Sequence, residues 1–228
     1  KILGGAPSDN GTPEIDTDDE RNYIESPRRY WTAFMKKLIA KFDFLIVQAS
    51  GNEGIDAKWS GFFNSINDTD LRKRIITVGA MEINWLNWLS PFYKLADFEA
   101  GLVGSTNYGD IVDIVAPGDD IYSTTSCLLN LMECSDYSII DADPDYGELS
   151  GTSMAAPHVT GVAGLVWTVN PNLTAEQVKN ILVGTADRGI TGSGAASRTT
   201  PYKILNANEA VKYAKSTQAT QPIPQPPT

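Results

Sequence analysis

The amino-acid sequence predicts an α/β domain with a largely parallel sheet, and three observations carry that prediction. Short apolar, β-branched runs recur at residues 44–47, 75–78 and 111–115, each closed by glycine or proline. They lack the in/out alternation of half-solvated strands, as expected for strands covered on both faces. Segments with helical spacing alternate with them, which is the pattern of a sheet crossed by helices.

Taken in order, residues 1 to about 22 read as loop, with Pro7, Gly11, Pro13 and an acidic run from Asp16 to Glu20. From 28 to 42 the spacing is helical. Tyr30, Trp31, Phe34, Leu38 and Phe42 recur every three or four positions with Lys and Arg between them. The first strand follows at 44–47 and ends at a glycine-containing turn. The tryptophan-bearing interval 81–100 is expected to be a loop covering one face. The stretch 123–148 reads as irregular and acidic. Residues 152–169 form an apolar helix rich in Ala and Gly, whose lack of bulk demands close neighbours and a central place. Thr174 with Gln177 three residues on is a capping box, so a helix starts there. A last short helix is expected at 208–215. Residues 217–228 are rich in Gln, Pro and Thr and read as a tail or linker, which leaves 1–216 as the domain.

Composition narrows the function. The chain has 228 residues, 18 basic and 28 acidic, for a net charge of −10. Such a chain is a poor binder of nucleic acid, which is gripped through Lys and Arg against phosphate. No apolar run reaches the roughly 20 residues of a membrane span. No signal-peptide pattern opens it, so either the protein is intracellular or an N-terminal region precedes Lys1. There is one histidine, His158. Mechanisms needing two imidazoles and multi-histidine metal sites are excluded. Cys127 and Cys134 are too few for a disulfide framework; they are either a short-loop bridge or two free thiols.

Two segments carry chemistry. Ala49-Ser50-Gly51-Asn52-Glu53-Gly54 follows the first strand, where α/β folds build their sites. On local grounds Asn52 is either a turn residue or a site residue. Gly151-Thr152-Ser153-Met154-Ala155-Ala156-Pro157-His158 opens the apolar helix. Its serine is either a helix cap or a hydroxyl beside a helix mouth, where free N–H groups and a partial positive charge favour an anion. Weaker by itself is Ile114-Val115-Ala116-Pro117-Gly118, a strand ending in a Pro-Gly turn.

Together these segments resemble the subtilisin-like serine peptidases, the subtilase family. The string from Gly151 to His158 is similar to the family's nucleophile motif, and Ser50-Gly51-Asn52-Glu53-Gly54 to its oxyanion-asparagine loop. Asn107-Tyr108-Gly109, residues 112–118 and Ile121-Tyr122-Ser123-Thr124 match intervening segments, and Leu3-Gly4-Gly5 resembles a substrate-holding strand end. The resemblance runs from about residue 3 to about residue 211. It implies a three-layer α/β/α fold with a mostly parallel sheet. It also implies a serine endopeptidase acting on polypeptides through an acyl-enzyme on Ser153. Asn52 and the Ser153 N–H would stabilise the oxyanion, with support from Thr152. Ala49, Ser50, Gly51, Gly4 and Gly5 would bind substrate.

The family's aspartate motif and its His-Gly-Thr motif are absent here. His158 matches a position the family uses for packing, not the base. The resemblance therefore implies that this chain is the C-terminal portion of a larger peptidase. The N-terminal part of the fold would lie upstream, and the chain alone would be inactive. A pseudo-peptidase module that binds peptide or a partner protein without cleaving it is the alternative. No cofactor is required. Calcium is left open, with Asp16, Asp18 and Asp19, and Asp141, Asp143 and Asp145, as either oxygen ligands or solvated acidic loops. By analogy the protein would be secreted or at the cell surface.

Overall fold

The computed structural model describes residues 18–60, 63–84, 92–95, 106–124, 146–190 and 201–218. Five helices, α1 (Asp18–Ile39), α2 (Thr69–Arg72), α3 (Thr152–Val169), α4 (Ala175–Gly184) and α5 (Ala207–Gln218), accompany eight strands among them. These are β1 (Ile46–Ala49), β2 (Ile75–Asn84), β3 (Phe92–Leu95), β4 (Ile114–Pro117), β5 (Ile121–Thr124), β6 (Tyr146–Leu149), β7 (Asp187–Ile190) and β8 (Tyr202–Ile204).

The main sheet has the order β1-β2-β4-β8-β7, with β3 also paired to β2. Its centre is parallel: Ile46 pairs with Ile75, Val78 with Ile114, and Val115 with Ile204. β3 and β7 run antiparallel to β2 and β8. A separate antiparallel ribbon joins β5 and β6.

Alternation along β2 sorts the layers. Ile76, Val78 and Ala80 pack with Ala155, Val159, Val162 and Val166 of α3 and with Val178 and Leu182 of α4. Ile75 faces the opposite way, toward Met35 of α1, Ile66 and Leu71 of α2. The result is the expected three-layer α/β/α arrangement. α4 begins as expected, with Thr174 Oγ1 accepting from the Gln177 N–H at 3.3 Å and the Gln177 side chain accepting from the Thr174 N–H at 2.8 Å.

Four local expectations change. α1 starts at Asp18, ten residues before the expected start at 28, and runs through Pro27. Its buried side is Met35, with Trp31, Leu38 and Ile39 half-buried, whereas Tyr30 and Phe34 are exposed. The interval after Met81 is not all loop, because β2 continues to Asn84 and β3 returns antiparallel to it. The irregular acidic stretch begins and ends in the strands β5 and β6. Finally, α5 extends to Gln218, past the expected start of the tail. Gly4, Gly5, Cys127, Cys134, Asp16, and the aspartates at 141, 143 and 145 lie outside the described residues.

Candidate active site

Three chain segments meet at the carboxyl ends of the parallel strands. β1 runs out at Ala49 into the Ser50–Gly54 loop, and the Ser50 N–H still bonds Val78 O of β2 at 2.9 Å. β4 ends at Pro117, and the next residue, Gly118, donates its N–H to Met81 O at 3.1 Å. Gly118 O in turn accepts the Gly151 N–H at 2.7 Å, which ties the mouth of α3 to the sheet. Gly118 must be glycine for this: a Cβ there would stand 2.7 Å from Ala80 Cβ and 2.9 Å from Gly151 O.

Thr152 joins the helix mouth to the Asn52 loop. It is 1 % exposed. Its N–H and its hydroxyl both donate to Asn52 Oδ1, each at 2.9 Å. The same hydroxyl accepts the Gly51 N–H at 3.2 Å. With Oδ1 so occupied, the donor end of the Asn52 carboxamide is turned the other way. It lies along Gly151, where an added Cβ would come 3.2 Å from Asn52 Nδ2. Gly151 has φ of +149°, outside the range a side chain readily allows.

Ser153 is the second residue of α3 and is exposed. Its N–H belongs to the first turn, where no intrahelical acceptor exists. A hydroxyl, a helix mouth with its partial positive charge and an oriented carboxamide thus occupy one small area. That set is suited to holding a negatively charged oxygen beside a nucleophile.

The loop itself is held by a residue whose role the motif reading missed. Asn107 is 1 % exposed. Its Oδ1 accepts the N–H groups of Glu53 and Ile55, both at 3.0 Å, while Nδ2 donates to Ser50 O at 2.9 Å and to Glu53 Oε2 at 2.6 Å. Glu53 Oε2 also accepts from Ser60 Oγ at 3.2 Å. Gly51, at φ +103°, sits against Asn107, Ser60 and Glu53 so closely that a Cβ would overlap all three. The Asn-Tyr-Gly string was the only available signal, and spacing alone does not show that its asparagine staples a loop 55 residues earlier.

The structure therefore brings Ala49, Ser50, Gly51, Asn52, Thr152 and Ser153 together. It does not bring His158 to them. His158 lies five positions along α3, about 140° around the helix from Ser153 at 3.6 residues per turn. Its ring is exposed, not packed, and Nδ1 contacts Met154 O at 2.9 Å. Among the described residues, no three His, Cys, Asp or Glu side chains converge on a point where a metal could sit. Nor is any described helix long and apolar enough to cross a membrane.

Comparison with known proteins bears on the family and the fold. The family model described as the subtilase family matches residues 11–211. The chain is 33% identical over 192 residues to the "Extracellular basic protease" of Dichelobacter nodosus, covering 80% of this chain and 25% of that protein. It is 29% identical over 189 residues to the "Serine protease AprX" of Bacillus subtilis strain 168, covering 80% and 38%. Among solved structures, the A-subunit of the AB5 toxin from E. coli superposes with a TM-score of 0.54 at 22% identity, over 93% of this chain and 63% of that one, which bears on the fold alone. The chain thus spans a quarter to two fifths of the two curated relatives. With the model matched over 201 of its 228 residues, the chain belongs to the subtilase family.

Proposed function

We propose that this chain carries the nucleophile half of a subtilisin-type serine endopeptidase. Ser153 attacks the carbonyl of a peptide bond and forms an acyl-enzyme. The Asn52 carboxamide and the Ser153 N–H receive the oxyanion, and Thr152 keeps Asn52 in place. Ala49, Ser50 and Gly51 form one wall of the pocket for the substrate chain, and Gly4 and Gly5 contribute the opposing strand end. The observation that supports this reading is the pair of hydrogen bonds from Thr152 to Asn52 Oδ1, which leaves the donor end of the amide beside Gly151.

The proton acceptor comes from an upstream part of the same peptidase, and the chain alone is inactive. An unassisted serine hydroxyl is a poor nucleophile, and His158 is turned to its own helix. α3 supports a docked partner segment. It contains no Lys, Arg, Asp or Glu, the composition of a helix buried on all sides. Yet Pro157, His158, Gly161, Gly164 and Leu165 are exposed, and a Cβ at either glycine would meet no atom within 4 Å. Among the described residues β1 ends the sheet order, and its outer edge is where a further strand would pair. Secretion or cell-surface display follows from the extracellular relative in Dichelobacter nodosus. No cofactor takes part in this chemistry; calcium would serve loops.

The test joins the chain to the upstream segment of its gene and follows hydrolysis of casein or a chromogenic peptide. Cleavage that disappears in Ser153→Ala supports the reading, and equal activity in both ends it. The orientation of His158 also favours a second reading, a module that binds peptide without cleaving it. An upstream region lacking a His-Gly-Thr motif would support that reading.

A further inference from the structure

Beneath the Ala49–Ser50 wall lies a buried carboxamide that the chemistry above does not use. Asn64 is 3 % exposed and sits on the sheet face opposite α3. Its Nδ2 donates to Ser50 O at 3.2 Å and approaches Ala49 O at 3.4 Å. The Ser50 carbonyl also receives Asn107 Nδ2 at 2.9 Å, so two buried asparagines clamp one carbonyl.

Asn64 is anchored in turn. Its Oδ1 accepts from the Thr77 hydroxyl at 3.1 Å and from Gln48 Nε2. Thr77 is fully buried, and its N–H donates to Asp113 Oδ2 at 2.9 Å. Asp113 is held by Lys179 of α4 at 2.7 Å and by Arg72 of α2 at 3.3 Å. Lys179 also donates to Arg72 O and Ile75 O. A continuous line of bonds therefore runs from an ion cluster packed against the sheet to the loop that precedes Asn52. Both donor contacts of the Asn64 amide fall on carbonyls of the site wall.

We propose that Asn64 is a specificity-positioning residue. Resting on the peptidase reading, its carboxamide fixes the Ala49 and Ser50 carbonyls, and so sets the shape of the wall that receives the substrate side chain before the scissile bond. Thr77 acts through it by fixing the orientation of the amide. Asn64→Asp keeps the shape, removes both N–H donors and places an acid oxygen against two carbonyls. Thr77→Val removes the orienting hydroxyl, and Thr77→Ser restores it.

Two measurements test this. On the chain itself, amide hydrogen exchange is compared between residues 50–53 and α3. Asn64→Asp and Thr77→Val should speed exchange in 50–53 by about tenfold, the effect of losing one good hydrogen bond, with α3 unchanged and Thr77→Ser near wild type. Exchange that is unaltered, or faster everywhere alike, overturns the proposal. On the assembled peptidase, kcat/KM is measured for two peptides differing only in Ala or Phe before the scissile bond. Asn64→Asp should change their ratio by about fivefold or more, a shift close to 1 kcal/mol in relative transition-state binding. A uniform loss for both peptides would reflect a damaged fold and overturn the specificity role. If the wild type cleaves neither peptide, the peptidase reading fails, and the exchange comparison alone decides whether Asn64 positions the wall.

Discussion

Replacing Thr152 by valine removes one hydroxyl and changes little else, because the two side chains are nearly the same shape. The hydroxyl makes two bonds, donating to Asn52 Oδ1 at 2.9 Å and accepting from the Gly51 N–H at 3.2 Å. A neutral hydrogen bond is worth about 1 kcal/mol net, more when a partner is left buried and unpaired. Asn52 Oδ1 keeps the Thr152 N–H at 2.9 Å, and Gly51 is only half-buried. Neither partner is wholly orphaned, so the expected destabilisation is about 2 kcal/mol. For a chain of this size that lowers Tm by roughly 4–8 °C. On the proposed function, turnover of the assembled peptidase should also fall, because the Asn52 amide loses one of its two restraints. Complete loss of such a donor costs about 10²–10³ in kcat, a magnitude measured on a subtilisin and not worked out from this chain. Partial misorientation should cost about tenfold, 1.4 kcal/mol. Thr152→Ser provides the control: it loses a buried methyl, about 1 kcal/mol of stability, but keeps both bonds and should keep turnover. Thermal unfolding and steady-state kinetics on the three proteins read both effects. If Thr152→Val lies within about 0.5 kcal/mol of wild type and turns over equally fast, the hydroxyl does not hold Asn52 and the reasoning fails.

Three further outcomes are expected. Gly51→Ala places a Cβ at φ +103° among Asn107, Ser60 and Glu53, and should destabilise by at least about 2 kcal/mol in urea unfolding, from left-handed backbone strain plus overlap. Asn107→Ala orphans the Glu53 and Ile55 N–H groups together, and about 3 kcal/mol should be lost, with exchange fastest in residues 53–55. Acid should weaken the fold through Asp68 and Asp43. The hydrogen bond from Lys36 holds the Asp68 carboxyl below its ordinary value of 3.8. For Asp43, burial pushes the carboxyl up, but the Ala175 N–H and the Arg74 guanidinium together outweigh it and lower it. Folded carboxyls lowered in this way contribute stability above pH 3.8 that disappears as pH falls through their folded values. Urea midpoints measured between pH 5 and 2 should therefore drop, and Asp68→Asn should flatten part of that slope.

Signals that act over a few residues were readable. The capping box at Thr174 needs only residues 174 and 177, and α4 starts there. Small residues from Thr152 onward marked a helix that must pack closely, and Ala155 and Ala163 of α3 do pack against the sheet, whereas Gly161 and Gly164 are exposed. The strings around Asn52 and Ser153 stood out locally, one because it follows an apolar run and the other because it opens an apolar helix. Features set by distant partners were not readable. Asn64 and Asn107 act on Ser50 from 14 and 57 positions away, and no local period reveals a staple of that kind. β3 pairs with the far end of β2, so the tryptophan-bearing interval reads as loop until its partner strand is known. The early start of α1 was hidden by an acidic, proline-containing stretch that favours loop by composition. Its first turn nonetheless carries Asp18, Asp19 and Glu20, which suit a helix N-terminus. The exposed side of His158 was missed because the resemblance implied packing.

Fluorophosphonate labelling, read by mass spectrometry of the peptide containing Ser153, bears most directly on the proposal that Ser153 and Asn52 serve one carbonyl. With the upstream segment joined, wild type should label at Ser153, Asn52→Leu should label much more slowly, and the chain alone or Ser153→Ala should not label there. Labelling of the joined protein at some other residue, or a rate unaffected by Asn52→Leu, would contradict the account.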